Sequence, residues 1–109
     1  MTLPVPSTRV IEESDSEVAP PYHLILLDDN EHTYQYVVAM LGSVFGYAPE
    51  KGFAIACVVD QDGRAILMTA GLEEVKLKQD QIHAYGADPA MPQSKGSMSA
   101  VIEPANTPG

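Results

Sequence analysis

Proline confines regular structure to the middle of this chain. Pro4, Pro6, Pro20 and Pro21 crowd the start, Pro89, Pro92, Pro104 and Pro108 crowd the end, and Pro49 alone lies between them. Proline fixes φ and has no backbone N–H, so it ends helices and is kept out of central strands. An ordered domain is therefore expected over residues 22–104. Ahead of it, residues 1–21 carry Glu12, Glu13, Asp15 and Glu17 among few bulky side chains, the composition of a disordered acidic extension. Residues 105–109 are expected to form a flexible end. A segment of roughly 80 residues buries only about 60% of its unfolded surface, which suffices for one core.

Within that segment the apolar period changes several times. Tyr22 to Leu27 is a mostly apolar run halted by Asp28, Asp29 and Asn30, which reads as a strand entering a turn. From Thr33 the spacing becomes helical: Tyr34, Val37, Val38, Leu41, Val44 and Phe45 form one stripe, and Gly46 supplies the stop. Pro49 suits the first turn of a second helix, with Glu50 beside its positive end. Phe53, Ala56 and Val59 are expected on one side of that helix, with Ile55 and Val58 beside them. Asp62-Gly63 signals a turn into a second strand, Arg64 to Thr69. Leu72, Val75, Ile82 and Tyr85 mark a third helix closing near Gly86, and Met98 to Ile102 reads as a short last strand. The order β-α-α-β-α-β predicts an α+β fold, a small three-stranded antiparallel sheet packed against three helices.

Composition removes several functions. Fifteen acidic side chains against 6 basic ones give a formal charge of −9, so no nucleic-acid partner is expected. No apolar run approaches the roughly 20 residues that span a bilayer, and the first residues lack the pattern of a secretory signal, so no membrane partner is expected. Cys57 is the only cysteine, which excludes an internal disulfide and fits a cytoplasmic monomer. It lies in an apolar helical segment and reads as a small buried hydrophobe. His23 and His83 are isolated, and Gln93 to Met98 reads as a turn or mobile loop. No nucleophile elbow, phosphate loop or zinc spacing is present, so no enzymatic activity, cofactor or metal is expected.

The phrase Ile25 to Asn30 imitates the first strand of a response-regulator receiver, and Asp88-Pro-Ala-Met91-Pro92 imitates its phosphoacceptor phrase. That reading fails because Asp88 directly follows a helical pattern and a glycine, and too few residues follow Pro92 for two further βα units. A broader resemblance covers Tyr22 to about Glu103. It runs through the Asx triplet Asp28-Asp29-Asn30, the phrase Tyr36-Val37-Val38-x-x-Leu41, Phe45-Gly46-Tyr47, Glu50-Lys51, the Gly63 turn and Tyr85. Their order and spacing resemble the ClpS family, adaptors that deliver substrates to Clp proteases.

The resemblance implies a pocket for a bulky N-terminal residue, with three polar positions gripping its α-ammonium. The family offers Asn and Asp at the first and third positions of the triplet and His near the end of the second helix; here these are Asp28, Asn30 and Asp60. Two anions and an amide still suit an ammonium, so an altered clamp is expected. The implied pocket wall comprises Asp29, His32, Tyr34, Val37, Ala56, Val59 and Met98, with Tyr34 and Ala56 where the family usually has Met. Glu73 and Lys78 match the pair that contacts the N-terminal domain of a Clp unfoldase of the ClpA or ClpC type, and residues 1–21 match the family's flexible extension.

Plainer readings stand beside each of these. The triplet also suits a turn and helix cap, and Asp28, Asp29 and His32 could hold a divalent cation. Val37 and Val59 are ordinary core residues at helical spacing, and Glu73 and Lys78 suit any solvated helix face. An adaptor binding substrate N-termini is the expected function; an interaction module that has lost free-amine recognition is the alternative.

Overall fold

β1, Tyr22–Leu27, is the central strand of the domain, flanked by two later ones. The computed structural model describes residues 20–105, so the expectations for the acidic extension and the flexible end fall almost wholly outside the described residues. α1 (Tyr34–Phe45), α2 (Pro49–Asp62), β2 (Arg64–Ala70), α3 (Leu72–His83) and β3 (Ala100–Pro104) follow β1. The sheet order is β2-β1-β3 with both pairings antiparallel. This is the expected α+β fold of three strands and three helices.

Alternation along β1 sends Leu24 and Leu26 into the core, where they meet Met40 and Leu41 of α1 and Val75 and Ile82 of α3. Each such fully buried side chain contributes about 1.5–3 kcal/mol relative to exposure. On the opposite face Ile25 is only 1% exposed. It lies between Ile66 and Val101 in register, and Arg64 pairs with Glu103 at 2.8 Å across the same face.

The helix boundaries follow local chemistry. Thr33 caps α1 by accepting from Tyr36 N at 3.1 Å, and Gly46 ends it at φ 75°. Pro49 opens α2 at its first turn, where no N–H is needed, and Gly63 at φ 84° turns the chain into β2. Gly52 is buried where α2 crosses α1. A Cβ there would lie 3.2 Å from the Cα of Val38, so glycine permits the close crossing.

Four expectations are corrected. Phe53 does not face the core but is 52% exposed, because Gly52, Ala56 and Val59 form the buried side of α2. The core stripe of α1 includes Tyr36 and Met40, which the sequence reading left out. α3 ends at His83, so Tyr85 lies beyond it and packs edge-on against Tyr36, with ring centroids 5.4 Å apart. β3 begins at Ala100, where pairing with Leu26 starts, and Met98 belongs to the preceding loop.

Candidate functional site

The turn between β1 and α1 carries most of the candidate residues, and its shape is set by short-range bonds. Asn30 adopts φ 63°, a left-handed conformation that Asn tolerates better than most residues. The carboxylate of Asp29 accepts from Glu31 N at 2.9 Å and lies 2.9 Å from His32 Nδ1. The triplet is thus a turn whose middle member is occupied locally, with Asp28 and Asn30 exposed on either side.

His32 is drawn inward; its side chain is 2% exposed. Its Nε2 lies 2.8 Å from Gly96 O and 3.1 Å from Ser94 Oγ, and its ring centroid is 4.5 Å from that of Tyr36. The imidazole therefore bridges the β1–α1 turn to the loop that precedes β3. With both ring nitrogens so engaged, it has no lone pair directed at a cation. Among the described residues, no group of three His, Cys, Asp or Glu side chains converges as a metal site would require.

Asp88, on the same loop, makes a second bridge. Its Oδ2 accepts from Thr33 N at 2.7 Å and from the Thr33 hydroxyl at 2.9 Å, and its Oδ1 accepts from Ala90 N at 2.9 Å. Burial pushes this carboxyl up, but the N–H groups of Thr33 and Ala90, the Thr33 hydroxyl and the nearby His32 outweigh burial and hold it below its ordinary value. Sequence reading missed this role. The Asp-Pro dipeptide signals a turn, but nothing in it shows that the carboxylate reaches back 55 residues to a helix N-terminus.

At the other side of the site, Asp28 N donates to Gly63 O at 3.0 Å and Gly63 N donates to Val59 O at 2.8 Å. These bonds fasten the triplet to the last turn of α2, which carries Asp60. There the Tyr34 hydroxyl donates to Asp60 Oδ2 at 2.7 Å, joining the start of α1 to the end of α2. That bond, then burial and the Asp60 charge, push the Tyr34 phenol up to about 12. The ring also packs edge-on against Phe53 at 5.4 Å between centroids.

Val37, Ala56, Val59 and Met98 lie in the core, and none is more than 4% exposed. The open space lies outside them. A groove of about 360 Å³ is walled by Tyr34, Gln35, Val38, Ala39 and Phe53. A cavity of about 420 Å³ continues past Gln35 and Ala39 to Tyr36, Tyr85 and Asp88. Neither is walled by Val37, Ala56, Val59 or Met98. The structure thus pairs Tyr34 with Asp60 and Asp29 with His32, and places the apolar candidates behind them.

The candidate partner face is divided. Glu73 is exposed in the first turn of α3 beside Glu74. Lys78 is half-buried, and its Nζ donates to Val44 O at 2.8 Å and lies 5.6 Å from the Phe45 ring centroid. It caps the C-terminal end of α1, a favourable place for a cation.

Comparison with known proteins decides the lineage. Residues 17–92 match the family model described as ATP-dependent Clp protease adaptor protein ClpS. The chain belongs to the ClpS family. Similar ClpS adaptors include one from Nautilia profundicola, 28% identical over 87 residues, covering 78% of this chain and 90% of that protein. Another from Neisseria meningitidis serogroup A is 32% identical over 71 residues, covering 63% and 69%. The structure of Agrobacterium tumefaciens ClpS2 bound to L-phenylalaninamide superimposes with a TM-score of 0.68 at 19% identity, covering 79% of this chain and 98% of that one. That likeness establishes the shared fold. This ClpS chain contains, among its described residues, no helix long and apolar enough to cross a membrane.

Proposed function

We propose that this ClpS-family protein is a non-catalytic adaptor that binds the N-terminus of a substrate bearing a bulky hydrophobic first residue. It then presents that substrate to an AAA+ Clp unfoldase of the ClpA or ClpC type. The α-ammonium is accepted by Asp28, Asn30 and Asp60, and the side chain enters between Asp29, His32, Tyr34, Val37, Ala56, Val59 and Met98. Glu73, with Lys78 behind it, marks the face offered to the unfoldase's N-terminal domain. The protein works as a cytoplasmic monomer.

One observation carries the reading. The Asp28–Gly63–Val59 backbone bonds hold the triplet against the turn of α2 that bears Asp60, so exposed anionic and amide groups lie on adjoining segments outside a closed apolar interior. An ammonium favours such acceptors. Phenylalaninamide, found on the Agrobacterium relative, has a free α-amine and an aromatic side chain, the chemistry this reading requires.

A second reading has its own support. Asp60 is already bonded to Tyr34, and Lys78 to Val44, so a module that has given up free-amine recognition for other cargo would look similar. Fluorescence anisotropy with labelled peptides beginning with Leu, Phe, Tyr or Trp, each beside its N-acetylated twin, separates the two. The adaptor reading requires binding that is lost on acetylation. Equal binding of both forms, or none, favours the interaction module.

A further inference from the structure

The Tyr34–Asp60 bond joins a residue assigned above to the wall of the substrate site to one of the groups assigned to the ammonium. Asp60 lies in the last turn of α2, where the exposed carbonyl ends disfavour a negative charge, so its carboxylate gains from any donor. The Tyr34 phenol is that donor, at 2.7 Å. A full cation is the stronger donor to a carboxylate. Behind Tyr34, the side chains of Val37, Ala56, Val59 and Met98 are closed off from solvent, so an incoming side chain must displace part of the wall.

Tyr34 is the part of the wall best placed to move. It is only half-buried, it already borders an open groove with Gln35, Val38, Ala39 and Phe53, and its hydroxyl holds it to Asp60. The apolar wall residues Val37, Ala56, Val59 and Met98 are interior to the close-packed core, and Asp29 and His32 are bonded to each other, with His32 tied also to Gly96 O. We infer that Tyr34 and Asp60 form a cation-released latch: the phenol shuts the pocket, and a substrate ammonium takes its place on Asp60 as the ring swings into the groove beside Phe53. This inference rests on the N-terminus-binding reading above. It adds that recognition is an exchange at Asp60, so a bulky side chain without the cation does not open the site.

Tyr34→Phe tests the latch, because it keeps the ring and its packing on Phe53 and removes only the tether. The full chain and this variant are titrated with a Phe-initiated peptide and its N-acetylated twin, followed by anisotropy and by stopped-flow association. The expected result is that Tyr34→Phe binds the free-amine peptide about tenfold tighter, mostly through faster association, with no matching gain for the acetylated peptide. If the wild-type chain binds and Tyr34→Phe binds equally or more weakly, the latch is overturned alone: the phenol then orients Asp60 rather than blocking it. An equal gain for both peptides overturns the exchange and leaves a steric gate. No free-amine binding by either protein overturns the latch together with the N-terminus-binding reading.

Discussion

Two side chains at the site hold their protons in opposite senses, and each sense has a consequence that can be measured. The Asp88 carboxyl is held below its ordinary 3.8, so its stabilising effect is complete above that value and is lost as pH falls through the lower folded one. Asp88→Asn should cost about 1–3 kcal/mol in denaturant unfolding near neutrality, since the amide cannot accept all three bonds. It should also flatten the acid limb of the stability profile. Tyr34 is raised to about 12, so its effect is complete below about 10 and is lost as pH rises toward 12. Phenolate absorbance should show two tyrosines, Tyr34 and Tyr36, titrating late in the wild type, with Tyr34 alone returning toward about 10 in Asp60→Ala. A titration unchanged by Asp60→Ala would mean that the hydroxyl is not bonded there in solution.

At the scale of elements, the crossing of α1 and α2 and the seat of α3 decide where the site can form. Gly52 lets the two helices approach, because an added Cβ would meet the Val38 backbone at 3.2 Å. Gly52→Ala is expected to be near neutral: the crowding roughly offsets the gain of about 1 kcal/mol from helix propensity. Gly52→Leu is expected to cost about 1–3 kcal/mol by forcing the helices apart, read by thermal or denaturant unfolding. α3 is tied to the end of α1 through Lys78 and Val44 O. Lys78→Ala should therefore lower stability, by about 1 kcal/mol, as well as altering any partner contact. Glu73→Gln, at an exposed position, should leave stability within about 0.5 kcal/mol while weakening capture by a Clp unfoldase N-terminal domain.

For the whole molecule, the loop between α3 and β3 adds long-range bonds to a core that the sheet and all three helices already share. Its residues reach back to the start of α1 through Asp88–Thr33 and His32–Gly96, and it places Met98 in the core. The sequence reading expected a turn or mobile loop over Gln93 to Met98; the described chain there is bonded across the fold. His32→Ala should raise amide exchange over residues 94–98 far more than elsewhere, without unfolding the sheet. Uniform exchange across the protein would show that His32 supports global stability rather than this loop.

Element order and the α+β class were legible in the sequence because they rest on patterns local to a few residues, and the family was legible from the order and spacing of short phrases across the domain. An apolar run halted by Asp28, Asp29 and Asn30 marks β1, helical spacing marks α1, and Pro49, Gly46 and Gly63 set the ends at positions where their backbone preferences leave little choice. The Asx triplet was legible as a turn for the same reason. Tertiary structure decided which of the candidate side chains meet. The Tyr34–Asp60 bond spans 26 residues, His32–Gly96 spans 64 and Asp88–Thr33 spans 55. Such contacts depend on how α1 packs on α2 and how the last loop returns, which periodicity does not encode. Phe53 was placed inward and Tyr36 was missed for a related reason. A helix stripe is broad enough to rotate by one residue, and the buried Gly52 at the α1–α2 crossing, not the hydrophobicity of Phe53, fixed which side of α2 faces the core.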